Sequence, residues 1–124
     1  MRNAWQQLYA PLIGRILIGG FFLWNGIQES LNLSVTIDSF VGAHITHASM
    51  WALIAVWIEI LGGLALVVGF KTRFVALIMA VFVLLVSTLL GKFVSDAEIT
   101  FFLQNMAIVG GLFYISAFGS GSWE

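Results

Sequence analysis

Polar positions are few along this chain, and the apolar stretches between them are long enough to cross a bilayer. A hydrocarbon core about 30 Å thick takes roughly 20 helical residues. Four stretches meet that requirement: 8–27, 51–70, 74–91 and 99–118. The first is interrupted by Pro11, Arg15 and Asn25, the second carries the single charge of Glu59, and the other two carry none. Membrane strands would instead alternate in polarity over about ten residues, and the chain has no such pattern. The expected fold is an all-α integral membrane protein, a four-transmembrane-helix bundle forming one domain over 1–124. The only sizeable connection is an outer loop at 28–50. In its segment 36–47, Ile37, Phe40, Val41 and Ile45 recur at helical spacing, which predicts a short interfacial helix.

Composition agrees with the pattern and removes whole classes of function. The 124 residues are 60% hydrophobic and 9% charged, with a mean hydropathy of +1.03. A soluble domain carries roughly 25% charged residues. Soluble enzymes, nucleic-acid binders and disordered linkers are therefore excluded. The net charge of −1, from five basic and six acidic residues, predicts no basic patch for nucleic acid or anionic lipid. With no cysteine, disulfides, thiolate nucleophiles, iron–sulfur ligation and the usual structural zinc sites are absent as well. Arg15 abuts the apolar run 16–24 and no small-x-small cleavage site follows, so this segment reads as a retained first span.

The basic residues set the expected orientation. Arg2, Arg15, Lys71 and Arg73 fall on one side and Lys92 alone on the other. The amino and carboxyl termini and the 71–73 turn are then cytoplasmic, in a multi-pass protein of the cytoplasmic (inner) membrane. Trp5 and Trp123 would mark the inner interface, Trp24 and Trp51 the outer one.

In lipid, helices associate through small and polar residues. Stripes at spacings of three and four run through Arg15, Gly19, Phe22, Gly26 and Glu29 in the first span, and Ala52, Ala55, Glu59, Gly62, Leu66 and Gly69 in the second. The third offers Ala76, Ala80, Val83 and Ser87, the fourth Gln104, Ala107, Gly111 and Tyr114. Glycine pairs recur as Gly19-Gly20, Gly62-Gly63 and Gly110-Gly111, and are expected at helix-packing positions. The bundle should be closed at their level and should hold a polar crevice toward the outer face, lined by Asn25, Gln28, Gln104 and Asn105.

Two ionisable residues lie inside spans, Arg15 and Glu59. Counted from the expected helix ends, they differ in depth by only about 6 Å. They read either as a buried ion pair that fixes helix neighbours or as a site whose carboxylate handles a proton or ligand. Glu29 reads as solvated at the outer interface. Amides cannot shuttle protons but can donate to carbonyl oxygens. Asn25, Gln28, Gln104 and Asn105 therefore suit the carbonyls of a quinone head group, or else bond helix to helix. His44 and His47 lack the further ligands a metal needs, so no metal site is expected.

The first span reads Arg15-Ile-Leu-Ile-Gly19-Gly-Phe-Phe22-Leu-Trp-Asn-Gly26, and the second Glu59-Ile-Leu-Gly62-Gly63 followed by Val68-Gly69-Phe-Lys-Thr72-Arg73. The fourth reads Gln104-Asn105-Met-Ala-Ile-Val-Gly110-Gly111, and the chain closes with Gly119-Ser-Gly121-Ser-Trp. This chain resembles the DoxX family of small bacterial and archaeal four-helix membrane proteins. Gln104 stands where relatives often carry lysine, and Glu124 is the nearest counterpart of an aspartate near their C-terminus. The resemblance implies four helices in a bacterial or archaeal cytoplasmic membrane. Some relatives are associated with thiosulfate:quinone oxidoreductase, others with complexes that handle oxidative or thiol stress.

The leading expectation is a small membrane subunit of a quinone-linked redox complex, an anchor that contributes a quinone or lipid pocket and is not catalytic alone. No covalent cofactor is expected; a quinone is the candidate ligand. Expected partners are the lipid bilayer, other subunits of a membrane complex and a second copy of the chain. The alternatives are a small proton-coupled transporter using Glu59 and a purely structural subunit.

Overall fold

The computed structural model describes residues 9–91 and 95–118. The expectations placed on Arg2, Trp5, Lys92, Trp123 and Glu124 lie outside the described residues. Within them the chain forms α1 (Ala10–Leu31), α2 (Leu33–Gly42), α3 (Ala48–Val68), α4 (Thr72–Leu90) and α5 (Asp96–Phe118). Four of these, all but α2, are long and apolar enough to span a membrane. The protein is a multi-pass membrane protein.

Local chemistry explains the boundaries. Pro11 sits in the first turn of α1, where its missing N–H would have had no partner anyway. Gly69 ends α3 at a φ of 85°, and its N–H and that of Phe70 both bond the Ala65 carbonyl. A left-handed residue of this kind closes a helix at little cost only when it is glycine. At the start of α5, the Ser95 hydroxyl accepts from the Glu98 N–H at 3.2 Å and donates to the Glu98 carboxylate at 3.1 Å. This is a capping arrangement, with Asp96 and Glu98 placed favourably in the first turn.

The spans begin and end close to the expected positions, but the region 28–50 differs. α1 runs on to Leu31, so Gln28 and Glu29 are helical, and the short helix α2 starts at Leu33. His44 and His47 follow α2 rather than belonging to it. Both adopt left-handed backbone (φ 61° and 58°) and both are exposed.

α1 packs most extensively on α3, and α4 on α5. These two hairpins meet through one core of Phe22, Leu66, Ala76, Met79, Ala80, Val83, Val109 and Leu112. A second cluster seats Phe40 of α2 on Ala48, Ala52 and Ala55 of α3. The outward faces are apolar, as lipid requires: Leu17 and Trp24 of α1 are 67% and 65% exposed.

Candidate functional site

Glycine sets the spacing of the first hairpin, and that spacing places the site. A Cβ built on Gly63 would lie 2.7 Å from the Gly19 carbonyl oxygen, and one on Gly19 would lie 2.8 Å from the Gly63 oxygen. Seven residues further along α1, a Cβ on Gly26 would meet Ile60 Cγ1 at 2.6 Å and Glu59 Cβ at 3.3 Å. The two backbones therefore touch from Gly19 to Gly26, and Glu59 lies at the level of Gly26.

That register separates the two ionisable residues expected to pair. Arg15 lies eleven residues before Gly26 on α1, about 16 Å along the helix axis. No side chain bridges that distance. Among the described residues Arg15 and Glu59 make no ion pair; both are buried, at 4% and 8% exposure. The Arg15 Nε and Nη1 have no hydrogen-bond partner. The expected depth match took α1 and α3 to be level at this end of the bundle; the Gly19–Gly63 contact instead offsets them and sets Arg15 beside the end of α3.

Glu59 has Glu29 as its carboxyl neighbour instead, and both line one cavity. Glu29 was expected in solvated surroundings; the longer α1 carries it into the bundle.

The pair lines a cavity of about 620 Å³ between the two hairpins, roofed by α2. Its walls are largely apolar, with Phe22 and Phe21 of α1, Phe40 of α2, Phe82 of α4, and Phe101 and Phe102 of α5. The polar groups are the Glu29–Glu59 pair, Asn25, Asn105, Ser87 and Glu98, joined by Thr36 and Ser39 of α2. Asn105 Nδ2 donates to the Ser87 hydroxyl at 3.1 Å, tying α5 to α4 at this depth. Volume and lining match the usual ligand site, an apolar hollow with a few convergent polar groups.

The expected amides divide evenly. Asn25 and Asn105 reach the cavity; Gln28 and Gln104 do not line it, and Gln104 is exposed on the outer face of α5. The glycines divide too. Gly19, Gly62, Gly63 and Gly111 sit at helix contacts, Gly62 against the Met79 sulfur and Gly111 at 3.1 Å from Ile18 Cδ1. Cβ atoms on Gly20 and Gly110 would meet nothing within 4 Å, so these two do not pack. The sequence stripes already put Glu29 and Ser87 on packing sides of their helices; Glu98 carried no comparable signal. Among the described residues no three His, Cys, Asp or Glu side chains gather into a metal-binding group.

The family model DoxX matches residues 10–92, which spans α1 to α4 and leaves α5 outside. No curated protein and no solved structure matches the chain.

Proposed function

The chain belongs to the DoxX family, and we propose that it is a small membrane subunit of a quinone-linked redox complex that holds a quinone head group in its inter-hairpin cavity. The observation that carries this reading is the cavity itself, where two carboxyl groups and two amides converge on a Phe-walled space of about 620 Å³. Asn25 and Asn105 offer N–H donors to carbonyl oxygens; Asn105 uses one on Ser87 and keeps a second. Phenylalanine faces suit a flat ring. The Glu29 and Glu59 carboxyl groups stand where a quinone oxygen would take up a proton on reduction. A bound quinone supplies the electron chemistry, and the electrons come from a partner subunit.

In this reading the protein sits in the cytoplasmic membrane of a bacterium or archaeon with both termini inside. Its partner, another subunit or a second copy, covers the outward face of α5. There Gln104, Ala107, Gly110 and Tyr114 share one exposed side at helical spacing. An amide facing hydrocarbon is stabilised by an interhelical hydrogen bond, and small residues let a partner helix approach.

The test is binding of a short-chain quinone by the purified protein in neutral detergent. Asn25→Leu and Asn105→Leu should each weaken binding about tenfold, the loss expected when a buried acceptor loses its donor. Gln104→Leu should leave it unchanged. A second reading rests on the carboxyl pair alone: a proton exchanger for lipophilic cations. It takes precedence if quinone does not bind and Glu59→Gln abolishes cation-driven proton flux in proteoliposomes.

A further inference from the structure

The described residues at the opposite end of the bundle are cationic rather than acidic. Arg15 lies four residues, about 6 Å, beyond Gly19, which itself abuts Leu66 and Val67. That carries Arg15 to the level of the α3–α4 turn, where Lys71 and Arg73 flank Thr72. Of the chain's five basic residues three lie at this level, and the described residues of this end (9–20, 66–77 and 109–118) include no Asp or Glu. The even charge balance of the whole chain hid this segregation.

Three features of the turn call for an anion. First, α4 opens with no acidic residue in its first turn and no side-chain cap, although the N–H groups and dipole of a helix start favour negative charge. Second, a hollow of about 330 Å³ lies against Gly69, Lys71, Thr72, Arg73 and Phe74. Third, Thr72 lines that hollow, is 0% exposed, and has a hydroxyl with no hydrogen-bond partner. A buried hydroxyl left without a partner costs free energy that a bound acceptor recovers. The Lys71 ammonium, 5.7 Å from the centre of the Phe70 ring, stays on the turn. Arg73 donates from Nη2 to the Phe118 carbonyl at 3.5 Å, which brings the end of α5 to the same place.

We infer that this hollow is a binding site for a phosphate group, held by the Thr72 hydroxyl, the first N–H groups of α4 and the Lys71 ammonium, with the Arg15 guanidinium behind them. A turn at the membrane surface meets phosphate in two forms, as the head group of an anionic phospholipid and as the free ion. The site is separate from the quinone cavity and stands or falls without it.

Native mass spectrometry of the full chain tests the inference. The probes are phosphatidylglycerol, phosphatidylcholine and, as competitor, millimolar inorganic phosphate. The expected result is discrete phosphatidylglycerol adducts that phosphatidylcholine does not reproduce. Lys71→Gln and Thr72→Val should each weaken them about tenfold, the loss of one charge-assisted hydrogen bond. Competition by inorganic phosphate assigns the site to phosphate as such; no competition assigns it to the lipid head group. Adducts of equal strength with both lipids, or adducts undiminished in Lys71→Gln, overturn the inference. Lys71 lies on the exposed turn, so its variant remains testable should Thr72→Val fail to fold.

Discussion

At Gly63 an added methyl group would strike backbone on two sides, the Gly19 carbonyl oxygen and the Leu23 nitrogen, each 2.7 Å away. Backbone cannot rotate aside as a side chain can, so α1 and α3 would have to separate. Gly63→Ala should therefore destabilise the fold by about 1–3 kcal/mol, the range for an overpacked core. Gly20→Ala and Gly110→Ala should stay within about 0.5 kcal/mol, as changes away from contacts do. Thermal unfolding in detergent separates the two groups. Six of the chain's thirteen glycines form the three Gly-Gly pairs, so the pairing marked the right helices and could not say which member faced inward. The same limit governed the amides. In lipid, polarity does not force a residue inward when a partner subunit can cover it, and Gln104 and Asn105, adjacent on α5, turn in different directions.

Helix ends decided which side chains meet. The first span was legible as apolar sequence, and its inward stripe of Arg15, Gly19, Phe22 and Gly26 is the set that is buried. Its C-terminal end was not legible, because Gln28, Glu29 and Ser30 read as loop residues in any hydropathy pattern. Four extra residues of helix brought Glu29 to the cavity beside Glu59, and the offset of α1 against α3 took Arg15 away from it. α5 was least legible as a packing surface. Its polar residues are spread around the helix rather than gathered on one side, and only Val109 and Leu112 are buried. Two capping predictions belong at this scale. Gly69→Ala should cost about 1 kcal/mol through its left-handed backbone. Ser95→Ala should cost about 1 kcal/mol by uncapping α5. Both are read as shifts of the unfolding midpoint.

As a whole, the molecule is two tight hairpins pressed together at one end and held apart at the other by α2 and by the ring of phenylalanines around the cavity. The closed end carries Arg15, Lys71 and Arg73, and the open end the carboxyl groups of Glu29, Glu59 and Glu98. The positive end should face the cytoplasm. Because the chain lacks cysteine, single cysteines report this directly. In intact cells a membrane-impermeant maleimide should label Asp38→Cys on α2 and leave Lys71→Cys unlabelled; the reverse pattern inverts the topology.

The central claim is that the cavity holds a quinone head group. Photo-crosslinking with a light-activated quinone analogue, in membranes carrying the native chain, tests it most directly. Adducts mapped by mass spectrometry should concentrate on residues 21–29 and 101–105, the cavity-facing parts of α1 and α5. They should fall sharply in Asn25→Leu. Adducts spread over lipid-facing positions such as Leu17, Val68 and Leu85, unchanged by that substitution, would contradict it.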